Sequence, residues 1–102
     1  MVIMTLSSYP TEVTQQVRER NIALPELPGY MKRQGPYNYF SGVDGARSVS
    51  VYEFDESKMA EAALLIGVRM STFNDIPGFK VDLRICGTPQ DAERIAQLRE
   101  SL

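Results

Sequence analysis

Apolar and polar residues alternate from the first positions of the chain. Val2, Met4 and Leu6 interleave with Ile3, Thr5 and Ser7, a period of two that predicts a strand over 2–8. The spacing then changes. Val13, Val17 and Leu24 fall on one helical stripe, and Glu12, Gln15, Gln16, Arg18 and Glu19 fall elsewhere. Pro10 suits a first helical turn and Glu12 suits its positive end, so a helix is expected from about Pro10 to just before Pro25. Two prolines and a glycine make 25–29 a loop. A second strand is expected over 30–40, broken at Gly35-Pro36, which marks a sheet edge or a bulge. Asp44-Gly45 supplies turn chemistry for a hairpin into a third strand over 47–54. There Val49 and Val51 share one face, and Ser48, Ser50, Tyr52 and Phe54 the other.

Asp55 is placed to cap a helix over 56–73, whose buried stripe is Met59, Ala62, Ala63, Ile66, Met70 and Phe73. Pro77-Gly78 closes that connection. Phe79, Val81, Leu83 and Ile85 then alternate with Lys80, Asp82, Arg84 and Cys86 in the clearest strand of the chain. Thr88, Pro89 and Asp91 open a last helix with a partial apolar face of Ala92, Ile95, Ala96, Leu98 and Leu102.

The predicted order β-α-β-β-α-β-α describes one α+β domain over 1–102. Two βαβ halves joined by a hairpin give a ferredoxin-like antiparallel sheet with its first two helices on one face, plus an extra C-terminal helix. The other face is then open. Ile3, Thr5, Tyr52, Phe54, Lys80, Asp82 and Arg84 are expected on it, with either Tyr37 or Tyr39, since Pro36 leaves the register of the second strand undecided.

Two short patterns carry a family resemblance. Tyr9-Pro10-Thr11-Glu12 follows the first strand, and Phe79, Val81, Leu83 and Ile85 form an F-x-V-x-L-x-I last strand. With the element order, they make residues 2–87 resemble the dimeric α/β-barrel superfamily, and most of all its uncharacterised small bacterial members. The resemblance implies a homodimer in which two such sheets face each other. Cofactor-free monooxygenases, haem-degrading enzymes and stress-responsive barrels share that fold. This chain departs from the haem and stress types in lacking histidine, and from some monooxygenases in lacking tryptophan.

Composition narrows the chemistry. With no histidine there is no imidazole acid–base catalysis, no Ser-His or Cys-His pair and no His-ligated haem or zinc. A net charge of -2 with interspersed signs leaves no footprint for a polyanion, so no nucleic acid is expected as partner. The aromatics Tyr30, Tyr37, Tyr39 and Phe40 lie near Lys32 and Arg33, but the third strand lacks the glycines of an RNA-stacking signature. No apolar run approaches a membrane span, and no leader precedes the first strand, so no membrane association is expected. The single cysteine forms no internal disulfide, which fits a reducing, cytoplasmic setting. Cys86 reads either as a small strand-end residue or as a thiol activated by Lys80, Arg84 or the following helix. No C-x-x-C and no metal-ligand spacing occur, and neither cofactor nor metal is called for.

The candidate ligand-binding residues are Tyr37, Tyr39, Tyr52, Asp82 and Arg84. On a shared face, arginine pairs a carboxylate bidentately and a tyrosine donates a hydrogen bond. The competing reading makes Lys80, Asp82 and Arg84 a solvated face or interchain ion pairs. The leading expectation is a homodimeric small-molecule-binding or accessory domain, with a small aromatic or acidic molecule in the intersubunit cleft. The alternative is a cofactor-independent monooxygenase- or isomerase-like enzyme. In it Tyr52 or Tyr39 orients the substrate and Arg84 stabilises an enolate-like anion. A purely structural interaction module is the third.

Overall fold

In the computed structural model, which describes residues 1–42 and 45–102, four strands and three helices follow the expected order. They are β1 (Val2–Tyr9), α1 (Thr14–Ala23), β2 (Lys32–Ser41), β3 (Gly45–Glu53), α2 (Met59–Ser71), β4 (Lys80–Cys86) and α3 (Pro89–Glu100). A 3-10 turn precedes α1 at Thr11–Val13 and another precedes α2 at Glu56–Lys58. The sheet order is β2-β3-β1-β4 with all neighbours antiparallel, an arrangement compatible with the ferredoxin-like fold. No described helix is long and apolar enough to cross a membrane.

The ends of the elements follow local chemistry. The Asp55 carboxylate accepts the Ser57 N–H at 2.9 Å and the Ser57 hydroxyl at 2.7 Å, opening the turn into α2. Thr88 and Asp91 form a reciprocal capping box at α3, with Pro89 in the first turn. The strand β2 is broken where expected: its register against β3 shifts between Gln34 and Tyr37, and it lies at the sheet edge. Of the expected hairpin turn, Asp44 lies outside the described residues. Gly45 has φ 78°, and a Cβ there would lie 2.6 Å from the Tyr9 carbonyl oxygen, so only glycine fits.

Residues opposite each other in an antiparallel pair share a face. Ile3 lies opposite Tyr52 and Ile85, and Thr5 opposite Ser50 and Leu83. Ile3, Thr5, Ser50 and Tyr52 are buried, with Ile3 and Tyr52 packed against Ala62 and Ile66 of α2. Their face is therefore the helix-covered one. This corrects the expected sense of β1 and β3: Ile3, Thr5, Tyr52 and Phe54 lie under the helices, and Met4, Leu6, Val49 and Val51 on the open face. The alternation is as expected but the sides are exchanged, because the apolar set belongs to the face no helix covers.

The core has two parts. Ile3, Met31, Tyr52, Ala62 and Ile66 form one cluster, and Tyr9, Val17, Ala46, Phe73 and Ile76 the other. The expected stripe of α2 packs inward, joined by Arg69, a buried cation the periodicity did not flag. The helix α1 buries only Val17. An ion pair fixes it instead: Arg20 donates to both Asp75 oxygens at 2.6 and 2.9 Å, and also to the Thr72 carbonyl. Those hydrogen bonds hold the Asp75 carboxyl below the usual carboxylate range and raise Arg20.

Replacing Ile66, fully buried between α2 and the sheet, with Ala is expected to cost about 2–5 kcal/mol in urea unfolding. Ile22→Ala, on the exposed side of α1, is expected to stay within ~0.5 kcal/mol. Asp91 supplies a pH test. The Thr88 backbone N–H, the N-terminal ammonium and the Thr88 hydroxyl hold its carboxyl at about 2. Its folded pKa is thus depressed below the ~3.9 of unfolded Asp. The stabilisation is complete above that value and is lost as the pH falls toward about 2. The stability gap between wild type and Asp91→Asn is expected to close over that acidic window.

Candidate ligand-binding site

On the open face the register aligns side chains in rows across all four strands. One row is Tyr39, Arg47, Ser8 and Lys80; the next is Tyr37, Val49, Leu6 and Asp82; the third is Gln34, Val51, Met4 and Arg84. Both Tyr37 and Tyr39 therefore lie on this face. A hollow of ≈ 270 Å³ is lined by Leu6, Ser8, Tyr39, Arg47, Val49, Lys80, Asp82 and Arg84, among others. Three expected site residues (Tyr39, Asp82 and Arg84) meet there, and Tyr37 lies in the adjoining row. Tyr52 is on the other side of the sheet. Of the two tyrosines named with Arg84 in the enzyme reading, Tyr39 shares its face and Tyr52 does not. Arg84 itself is engaged along its own strand: Nε and Nη2 each lie 2.7 Å from Asp82 Oδ2, which raises the guanidinium pKa further. Arg47 and Lys80, which sequence reasoning did not assign to a site, supply the remaining positive charge.

The helix-covered face holds a second recess that the pattern did not reveal. Between the two apolar clusters the sheet carries a polar strip of Thr5, Ser7, Asn38, Ser48 and Ser50, with the Tyr52 side chain beside it. These residues enclose a cavity of ≈ 40 Å³, closed by Val17 and Asn21 of α1 and by Met70, Phe73 and Phe79. Thr5, Ser50 and Tyr52 are 3%, 6% and 2% exposed, and their side chains line the cavity. The cavity has room for a few waters to serve them.

Asn21 and Arg33 also line an outer hollow of ≈ 350 Å³ with Leu24, Pro25, Glu26, Leu27, Gly35 and Arg69. These two residues are thus the neck between an open vestibule and the hydroxyl-lined floor. Two arginines meet the vestibule. Arg33 is exposed and forms no ion pair among the described residues. Arg69 is buried; its Nη1 donates to the Pro25 carbonyl at 2.6 Å, but its Nε has no partner. At the opposite end three rings close the cavity. Phe79 stacks on Phe73 at 4.8 Å and on Tyr9 at 5.9 Å between centroids. Burial raises the Tyr9 pKa and keeps its hydroxyl protonated.

The signal for this recess was present in the sequence as the run Ser48, Ser50, Tyr52 opposite Thr5 and Ser7. Its meaning depended on which face the helices cover. Among the described residues no three His, Cys, Asp or Glu side chains group to hold a metal. Cys86 is half-buried, with its sulfur 4.0 Å from the Arg84 carbonyl. Neither protein-family models, nor curated proteins, nor solved structures show a match to the chain.

Hydroxyls on a cavity wall are expected to add little to the stability of the core. Thr5→Val and Ser50→Ala should therefore leave unfolding free energy within about 1 kcal/mol of wild type or raise it, unlike ordinary core truncations. Thermal unfolding of each variant checks this, and a loss above about 2 kcal/mol would show that the hydroxyls are structurally paired.

Proposed function

We propose that this chain is a small-molecule-binding domain whose ligand is a small organic acid seated in the recess beneath α1. One observation carries the reading: two arginines, one with a buried and unpartnered Nε, and the hydroxyl side chains of Thr5, Ser50 and Tyr52 line adjoining halves of one recess. The carboxylate meets Arg33 and the open Nε of Arg69 in the vestibule. A hydroxyl or carbonyl at the other end reaches past Asn21 to Thr5, Ser50 and Tyr52. The ≈ 40 Å³ cavity admits only that polar end, and the body of the acid lies in the ≈ 350 Å³ vestibule. Entry requires α1 to yield, and its attachment through Val17 and the Arg20–Asp75 pair makes it the least anchored cover of the core. No catalytic step is assigned to the bound acid.

The same reading has the domain working as a homodimer, in keeping with the barrel resemblance. The open face carries half-buried Met4, Leu6, Val49 and Val51 beside the exposed rings of Tyr37 and Tyr39. Apolar surface of this extent is ordinarily covered by a partner. On this reading Tyr37, Tyr39, Asp82 and Arg84 contribute chiefly to the dimer face, and Tyr52 to the ligand seat.

The test is thermal unfolding and native mass spectrometry with a panel of hydroxybenzoates, other aromatic acids and short hydroxy acids. At a hundredfold excess over Kd a true ligand adds about 2.7 kcal/mol to stability. Arg33→Met, an exposed change that leaves the core intact, is expected to weaken binding at least about tenfold. An acid bound equally well by that variant, or no acid bound at all, would overturn the reading.

A further inference from the structure

The last helix is the least packed part of the molecule. Of α3 only Asp91 is buried; Ile95 and Leu98 are 61% and 65% exposed, and Leu102 just beyond is fully exposed. These three recur at the i, i+3, i+7 spacing of a single helical stripe. Its base is tied down by the capping box, by the Asp91 contact to the N-terminus and by Arg94–Glu56 at 3.3 Å. The rest projects. The molecule is 52 Å long and 19 Å thick, with a radius of gyration of 15.9 Å against about 13 Å for a compact chain of this size. A ten-residue strand spans about 33 Å and a twelve-residue helix about 18 Å. The long axis therefore accommodates α3 laid end-on beyond the sheet.

A matching vacancy lies on the helix-covered side of the sheet. Val81, Leu83 and Ile85 of edge strand β4 point to that side, and each is more than a third exposed. Arg69 reaches Pro25 on the α1 side of α2, which turns the opposite flank of α2, with Ala60, Ala63 and Gly67, toward β4. That flank is shallow. A Cβ built at Gly67 meets nothing within 4 Å. Small residues on one wall and an exposed aliphatic stripe on the other frame a shallow groove.

We propose that α3 of one copy lies in the groove between α2 and β4 of a second copy, and that the exchange is reciprocal. Each chain carries both the ridge and the groove, so a two-fold axis buries both twice. The exposed aliphatic area of the ridge and stripe is of the order of the ~800 Å² per partner that a standard interface buries. The exchange rests on the homodimer reading and says where α3 goes within that dimer.

Sedimentation velocity across a concentration series tests it, with circular dichroism as the check on folding. Two changes strike the two sides independently. The double variant Ile95→Glu, Leu98→Glu alters only exposed positions. Gly67→Leu projects a side chain into the groove from a position whose Cβ meets nothing within 4 Å, and it improves helix propensity. Both are expected to fold and to weaken self-association by roughly tenfold or more. A dimer weakened by Val51→Glu on the open face but untouched by these variants overturns the exchange and leaves the homodimer standing. Unchanged association with a lowered Tm in the α3 variant places α3 on its own chain and overturns it too. Wild type that stays monomeric throughout overturns the homodimer and the exchange together.

Discussion

The antiparallel register of β1 on β3, with Thr5 opposite Ser50 and Ile3 opposite Tyr52, decides everything the two faces of this sheet can do. Side chains alternate with a period of two, so a slip of one residue would exchange the faces wholesale. In the observed register Ile3 and Tyr52 meet Ala62 and Ile66, and the hydroxyls between them are carried under α1. The complementary set, Met4, Leu6, Val49 and Val51, is left where no helix reaches. The enclosed recess and the uncovered apolar face are thus two results of one pairing.

That coupling explains what could be read from the residues. Element order, the break at Gly35-Pro36, the caps at Asp55 and Thr88 and the inward stripe of α2 depend on local chemistry, and they were legible. The parity of each strand was legible too. Its sense in β1 and β3 was not, because alternation says which residues share a face but not what covers it. In most one-sided sheets the more apolar set faces the helices. Here both sets are apolar in part, and the set facing the helices includes Thr5, Ser7, Ser48 and Ser50. Tyr39, Asp82 and Arg84 line one hollow because β4 alternates cleanly, while Tyr52 went to the far side with the rest of its parity class. Arg69 was missed because its cation occupies a position that reads as the solvent side of a helical stripe.

A run of hydroxyls beneath a helix is a poor way to build a core. Valine or alanine at Thr5 and Ser50 would fill the same space without a desolvation cost. Departures of this kind from internal consistency concentrate where a protein does something other than fold. The thin attachment of α1 is a second departure at the same place. A polar helix with one buried residue, held by a bidentate arginine, contributes little cohesion, and it lies over a polar part of the interior.

The polar strip also divides the interior. The Ile3–Ile66 cluster and the Tyr9–Phe73 cluster are bridged by little more than the flexible side chain of Met70. Strain from a volume change in a close-packed interior travels through contacts, and few cross that strip. The two halves are therefore free to drift separately over evolutionary time. Substitutions in one can accumulate without compensating changes in the other, while the Met70 position, shared by both, is where such histories become entangled.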